Sequence, residues 1–110
     1  MIETNTPKEF FEKVLPNRFN PSKAAGVDVT AQISINGPNG GDWIVTIKNQ
    51  KIEATEGTHP SPTITIKMAE TDYMNLVNGK LSGEKAFMTG KLQFKGSIAL
   101  ALKLREAGFL

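Results

Sequence analysis

Hydrophobic residues recur with two different periods along this chain, and each period marks one type of element. A helix is predicted to start at Thr6-Pro7-Lys8-Glu9, which has the form of a capping box, and to end at Leu15 because Pro16 follows. A shorter helical segment is predicted between residues 20 and 26. From Val27 to Ile35 apolar and polar residues alternate, which is typical of a strand with one face in water.

The same alternation predicts four more strands. Residues 42–48 and 51–56 alternate on either side of Asn49-Gln50, so we expect a hairpin with a tight turn. Residues 64–68 and 91–95 have the same period. Two helices are predicted between these last strands, the first ending at Asn78-Gly79 and the second capped by Ser82.

The last apolar segment, from Ser97 to Leu104, fits two interpretations. Its larger side chains alternate as they would in a strand, but the alanines between them and the potential cap at Ser97 favour a helix, which we predict. Such a helix is apolar on nearly every side. In a domain this small the sheet covers only one side of it, so the other side needs a ligand, a partner chain or another helix.

Composition limits the class of protein without indicating a function. The 110 residues are 39% hydrophobic and 22% charged, as in ordinary globular proteins, and we expect one domain over residues 1–110. No apolar run is long enough to span a bilayer and no secretory signal is visible, so the cytoplasm is the expected location. The formal net charge of +2 is too small to suggest nucleic-acid binding.

Residues with catalytic or metal-binding chemistry are sparse. Cysteine is absent, which excludes thiolate metal sites and cysteine nucleophiles. The single histidine, His59, has no second histidine as a partner, and no helix start follows the glycines of residues 37–41 to hold a phosphate. We therefore predict no catalytic residue, no metal site and no cofactor, and we do not expect an enzyme.

Four segments of the chain carry a resemblance to a known family. They are residues 63–68, 72–81, 86–96 (AFMTGKLQFKG) and 99–104. Together they resemble the sterol carrier protein 2 domain, and a looser similarity extends over nearly the entire chain. The resemblance implies an α+β fold in which helices cover one face of a five-stranded, mostly antiparallel, twisted sheet, with an apolar tunnel between the two layers.

The resemblance also implies the non-catalytic binding and carriage of an apolar or acyl lipid, such as a fatty acid or fatty acyl-CoA. Because Gly108-Phe109-Leu110 is not a peroxisomal address, we expect the free-standing form found in prokaryotes. Methionines suit a lipid-binding wall because their thioethers adapt to different shapes. The expected ligand-binding residues are Phe10, Val14, Phe19, Ile33, Trp43, Met74, Val77, Phe87, Met88, Phe94, Ile98 and Leu102.

The C-terminal part of the chain is its basic part. From Gly79 onward six lysines and arginines stand against two glutamates. Four of these lysines fit two interpretations, a solvated face of the protein or a transient contact with an anionic membrane or the phosphates of an acyl-CoA. They are Lys80, Lys85, Lys91 and Lys95. We expect a monomer or weak dimer. The alternative hypothesis is an accessory interaction module whose apolar face packs on a partner enzyme or on a second copy of the chain.

Overall fold

The computed structural model describes the backbone of residues 4–106 and the side chains of residues 4–103. Its helical elements are α1 (Pro7–Glu9), a π-helical segment (Phe10–Val14), α2 (Leu15–Arg18), a 3₁₀ turn (Pro21–Ala24), α3 (Glu70–Val77), α4 (Gly83–Met88) and α5 (Ile98–Glu106). Its strands are β1 (Val29–Asn36), β2 (Gly41–Lys48), β3 (Lys51–Glu56), β4 (Ile64–Ala69) and β5 (Leu92–Lys95). Each predicted strand and each predicted helix is present.

The N-terminal helix begins as its sequence predicts but ends later. Thr6 Oγ1 accepts a hydrogen bond from the Glu9 backbone N–H at 3.2 Å, as a capping residue does. The expected end at Leu15 is wrong, because helical backbone continues through α2. The Leu15 N–H bonds to the Phe10 carbonyl five residues back. This wider turn places Pro16 in the first turn of α2, where its missing N–H costs little.

The five strands form one mixed sheet in the order β3-β2-β1-β4-β5. Three neighbouring pairs are antiparallel, and β1 with β4 is the parallel pair. The β2–β3 turn is the predicted one, with φ of 53° at Asn49 and 60° at Gln50, the left-handed conformation that a two-residue hairpin turn requires. The predicted α+β architecture with a mostly antiparallel sheet is therefore confirmed.

The strands turn their apolar side chains toward one face of the sheet, and the helices pack on that face. A row of directly paired residues crosses β5, β4, β1 and β2 in the order Phe94, Ile66, Ile33 and Trp43. The opposite face is polar and includes Lys67 and Lys95, which alternate with the inward residues of their strands. The sheet thus separates a lipophilic layer from a polar surface.

One buried polar residue fixes the loop that precedes β4. The Gln32 side-chain amide donates to the carbonyls of Trp43 at 3.2 Å and Gly57 at 3.1 Å, and its Oε1 accepts from the His59 N–H at 2.7 Å. The His59 ring Nδ1 accepts from the Ser61 N–H at 3.0 Å. The single histidine therefore takes part in a structural loop.

Aromatic rings fill the layer above β1 and β2. Phe11 stacks on Trp43 with ring centroids 4.8 Å apart. Tyr73 of α3 packs against Phe10 at 6.0 Å and against Phe11 at 5.8 Å. None of these four rings is more than 4% exposed. We call this closely packed region, which lies above β1 and β2, the packed half of the protein.

The two C-terminal helices start at the predicted caps. Ser82 Oγ accepts a hydrogen bond from the Lys85 N–H at 3.1 Å at the start of α4. Ser97 Oγ accepts from the Leu100 N–H at 3.3 Å at the start of α5. The ambiguous last segment is therefore a helix, as its alanines and its cap predicted.

Candidate functional site

An apolar cavity of about 460 Å³ opens between the β4–β5 side of the sheet and the two C-terminal helices. Pockets that bind small molecules typically measure about 300–1,000 Å³, so this one is of a suitable size. Most of the side chains around it are apolar. The cavity is lined by Arg18, Ile66, Leu76, Gly79, Leu81, Ser82, Gly83, Glu84, Phe87, Leu92, Phe94, Ile98, Ala101 and Leu102.

The sheet provides the floor of the cavity. Ile66 and Phe94 are directly paired across β4 and β5, and Leu92 lies on the same face two residues before Phe94. Ile66 and Leu92 are buried, whereas Phe94 is only half-buried. The row of paired apolar residues therefore has the aromatic cluster at its β2 end and the cavity at its β5 end.

Helix α5 provides one wall. Leu100 packs toward the buried core, while Ile98, Ala101 and Leu102 line the cavity. Ile98 is 56% exposed and Leu102 is 47% exposed. The sequence predicted that the sheet would leave one side of this helix uncovered, and its exposed large apolar side chains line the cavity.

Helix α4 provides the other wall, and its small buried residue leaves space. Ala86 is its one buried side chain, and a methyl group fills little volume. Phe87, the next residue, lines the cavity and is half exposed to solvent. A short helix anchored by an alanine therefore covers this part of the sheet incompletely.

Among the described residues that line the cavity, Arg18 is the one with a positive charge. Its Nη1 donates a hydrogen bond to the carbonyl of Val77, the last residue of α3, at 2.9 Å. A guanidinium has five N–H donors, so this bond leaves other donors available to a ligand. Arg18 enters the site because α2 continues past Pro16.

Tyr73 lies buried next to this region. Its hydroxyl has no hydrogen-bond partner among the described residues. Burial raises the pKa of Tyr73 far above its usual range, and the positive charge of Arg18 opposes this only in part. The phenol therefore stays neutral at any physiological pH.

The structure brings four of the twelve predicted ligand-binding residues together at the cavity. Phe87, Phe94, Ile98 and Leu102 line it. The other eight lie outside its lining. Phe10, Ile33, Trp43 and Val77 are buried in the core, and Val14, Phe19 and Met74 are partly buried against it. Met88 is 84% exposed on α4. Ligand binding by any of the twelve stays a prediction.

Several lining residues were not among those predicted from the sequence. Leu92 follows from the strand period, since it shares a face with Phe94, and Ala101 follows from helical spacing after Ile98. Ile66 requires the register between β4 and β5, which only the fold gives. Arg18 was missed because the helix was expected to end before it.

The four predicted lysine contacts do not lie on one surface. Lys80 lies in the turn between α3 and α4, and Lys85 lies on α4, so both are near the cavity. Lys95 projects from the polar face of the sheet, on the side away from the cavity. Lys91 precedes β5 and is exposed.

Two further properties concern the described part of the chain. No helix within residues 4–106 is long and apolar enough to cross a bilayer. In the same residues, His, Asp and Glu side chains nowhere gather in groups of three that could hold a metal ion.

Comparison with known proteins decides the family. The profile of the SCP-2 sterol transfer family matches residues 11–107. The chain belongs to the SCP-2 sterol transfer family. The resemblance drawn from its sequence is confirmed, and the mixed sheet with helices on one face is the fold of solved relatives in this family.

The relatives include proteins much longer than this chain. Hydroxysteroid dehydrogenase-like protein 2 of Mus musculus is 38% identical over 77 residues, which are 68% of this chain and 16% of that protein. Sterol carrier protein 2 of Homo sapiens is 36% identical over 73 residues, 64% of this chain and 13% of that protein. The chain thus spans about one sixth or less of the length of these curated relatives.

A solved structure in the family has a lipid in its name. The solution structure of palmitated SCP2L2 from Aedes aegypti is 27% identical to this chain, with a TM-score of 0.67. The match covers 89% of this chain and 90% of that one. The similarity therefore extends over nearly the whole of both SCP-2 domains.

Proposed function

We propose that this chain binds a single-chain acyl lipid in the cavity between β4–β5 and the two C-terminal helices, and carries it without changing it chemically. The cavity itself is the observation that carries the proposal, because about 460 Å³ of space is lined mainly by apolar side chains. Membership of the SCP-2 family and the palmitated relative support the same ligand class. Fatty acids are the simplest candidates, and the acyl part of an acyl-CoA belongs to the same class.

The energetics of burial favour such a ligand. Each methylene group moved out of water contributes about 0.8 kcal/mol, so a long acyl chain gains on the order of 10 kcal/mol before ordering costs. Apolar walls discriminate poorly between chains that differ by one or two methylenes. We therefore expect broad selectivity for chain length.

Arg18 supports an acidic head group on the ligand. It lines the cavity, and one of its N–H groups is hydrogen-bonded to the Val77 carbonyl. Arginine recognises carboxylates through parallel N–H donors. Wild-type protein should accordingly bind palmitate more tightly than methyl palmitate, which lacks the charge.

We also propose where this carrier acts and in which oligomeric state. We place it in the cytoplasm as a monomer or weak dimer that loads and unloads at anionic membranes, with the 110 residues acting as one lipid-binding unit. The role is that of a carrier and not of an enzyme, since the polar side chains that line the cavity within residues 4–103 are those of Arg18, Ser82 and Glu84. The Ser82 hydroxyl already caps α4.

A second candidate is an accessory interaction module. It is favoured by the long relatives, in which the matched segment is a small part of a larger protein. The exposed apolar residues of α4 and α5 also suit an interface. In this case the C-terminal helices pack on a partner enzyme or on a second copy of the chain.

Native mass spectrometry of protein purified without detergent separates the two candidates. A carrier should retain about one lipid per chain, identifiable after extraction, whereas a dimer without lipid would favour the interaction module.

Titration with a fluorescent fatty acid then locates the binding site. Leu102→Glu places a charge in the cavity wall and should abolish binding. Ala99→Glu is the matched control, because Ala99 is exposed on the same helix outside the lining. Unchanged binding by folded Leu102→Glu would contradict the proposed site.

A further inference from the structure

Three asparagines in this chain are followed directly by glycine, namely Asn36, Asn39 and Asn78. In such a pair the glycine nitrogen can attack the side-chain carbonyl carbon of the asparagine, because glycine has no β-carbon to block the approach. The attack requires a glycine N–H without a hydrogen bond and an asparagine side chain that is able to rotate. The three pairs are chemically alike, so the fold is the main source of any difference in their reactivity.

The Asn78–Gly79 pair is restrained at both residues. The Asn78 side chain accepts a hydrogen bond from the Thr4 N–H through Oδ1 and donates one to the Thr4 carbonyl through Nδ2, each at 2.9 Å. The Gly79 N–H donates to the Leu76 carbonyl at 3.2 Å. These hydrogen bonds have to break before the Gly79 nitrogen can reach the Asn78 side chain.

The Asn39–Gly40 pair is also restrained, although Asn39 is exposed. The Glu70 carboxylate at the start of α3 accepts hydrogen bonds from the Asn39 backbone N–H at 2.7 Å and from its Nδ2 at 3.4 Å. The Gly40 N–H donates to the Gly37 carbonyl at 3.1 Å. This pair therefore needs local opening of the β1–β2 loop before it can react.

The Asn36–Gly37 pair differs from the other two in its hydrogen bonds. Both residues are exposed. Within the described part of the chain, neither the Asn36 side chain nor the Gly37 N–H has a hydrogen-bond partner. Asn36 is the last residue of β1, where it pairs with Ala69, so the backbone that follows it lies outside the sheet. The Gly37 nitrogen can therefore approach the Asn36 side chain without local unfolding.

The charges around Asn36 favour a negatively charged product. Asn36 lines a second, polar cavity of about 290 Å³, whose charged lining residues are Lys67, Lys91 and Asp72. The net charge of these three side chains is 2 − 1 = +1. A nearby excess of positive charge stabilises a new carboxylate.

We propose that Asn36 is a site of spontaneous deamidation, and that the fold protects Asn39 and Asn78 from the same reaction. The Gly37 nitrogen gives up its proton and bonds to Cγ of Asn36, while the side-chain amino group takes a proton and leaves as ammonia. Water then opens the resulting succinimide ring at one of its two carbonyls, which gives aspartate or isoaspartate. The inference is independent of the proposed function. Its consequence is a negative charge that accumulates with time at the end of β1.

Incubation of the folded protein in mildly alkaline water enriched in ¹⁸O, followed by peptide mass spectrometry, tests the proposal. The new carboxylate takes one oxygen atom from water, so the label reports deamidation that occurs during the incubation. Fragmentation of the labelled peptides assigns the label to a residue. Label at Asn36 should accumulate at least about tenfold faster than at Asn39 or Asn78, because hydrogen bonds have to break at those two.

Two further measurements separate the effect of the fold from that of the local sequence. In guanidinium chloride the hydrogen bonds of all three pairs are lost, so the three rates should lie within about threefold of one another. Glu70→Ala removes the carboxylate that bonds to Asn39 and should raise the rate at Asn39 several-fold in the folded protein. Asn78 is the matched control in this variant, since its hydrogen bonds to Thr4 remain and its rate should not change.

Three results would overturn the proposal. The first is labelling of Asn39 or Asn78 in the folded wild type as fast as labelling of Asn36. The second is a folded protein in which Asn36 stays unlabelled while the unfolded chain reacts. The third is an unchanged rate at Asn39 in folded Glu70→Ala, which would show that the hydrogen bonds are not what protects it.

Discussion

The two halves of the apolar face have the same strand pattern and opposite outcomes. Above β2, Trp43 is covered by Phe11, and Tyr73 completes a layer of buried rings. Above β5, Phe94 faces a cavity. Both residues belong to one row across the sheet, so the strands do not cause the difference. The covering helices cause it, because one side receives aromatic rings and the other receives a short helix whose buried side chain is an alanine.

A small domain can therefore be stable and still keep an apolar cavity. Buried aromatic side chains contribute several kcal/mol each when they are closely packed. That contribution comes from rings of the N-terminal helix, α3 and β2 that do not themselves line the cavity. The residues around the cavity are then available for a ligand. Substitutions in the two halves should therefore have different effects.

The largest expected contrast is in stability. Phe11→Ala should lower the free energy of unfolding by about 3–5 kcal/mol, because it leaves a void within the aromatic cluster. Phe87→Ala removes the same atoms from a half-exposed ring on the cavity wall and should cost about 1 kcal/mol or less. Urea unfolding of both variants measures the difference. Equal losses would mean that the cavity half is packed as tightly as the aromatic half.

A smaller effect is expected when the cavity is filled. Ala101→Phe should lower affinity for a fluorescent fatty acid by about 10- to 30-fold, since a ring in the cavity displaces two or three methylenes of the ligand. Stability should change little, because the new side chain enters space that is already there. The matched control is Ala99→Phe on the exposed side of α5. Full affinity in Ala101→Phe would place the ligand elsewhere.

The next effect concerns pH and belongs to the packed half. Burial raises the pKa of Tyr73 in the folded protein, whereas its unfolded value is near 10. The folded state therefore holds this proton more tightly. Its contribution to stability is complete below pH 10 and is lost as the pH rises above that value. Wild type should lose about 1.4 kcal/mol per pH unit there relative to Tyr73→Phe. Parallel stability curves for the two proteins above pH 10 would show that the phenol is not sealed from water.

The smallest effect is expected from the same variant at neutral pH. The Tyr73 hydroxyl is buried without a hydrogen-bond partner among the described residues. Removing it should leave stability unchanged or raise it by about 1 kcal/mol. A loss of more than that in urea unfolding would indicate a buried water molecule bonded to the hydroxyl.

Local signals in the sequence predicted most of the fold. Thr6, Ser82 and Ser97 each act as the predicted cap, since a cap depends on residues three or four positions away. The hairpin at Asn49-Gln50 follows from the same kind of short-range rule. The end of the first helix was not predicted correctly, because Pro16 is accommodated by a π-helical turn that the sequence pattern does not reveal.

The cavity was harder to predict because it depends on contacts that are distant in sequence. Periodicity marks Phe10, Ile33 and Phe94 alike as inward-facing. Whether each is covered by an aromatic ring or lines a cavity depends on how the helices lie across the sheet. The excess of apolar surface on the last helix was the one useful local sign, and Ile98 and Leu102 do line the cavity.

The location of a bound acyl chain tests the central claim most directly. Palmitate labelled with ¹³C along its chain, added to the protein, allows NMR detection of close contacts between ligand protons and side chains. We expect contacts of the acyl chain with Phe94, Ile98 and Leu102, and none with Phe11 or Trp43. Contacts with the two rings of the packed half, or saturable binding with no contact to the three cavity residues, would contradict it.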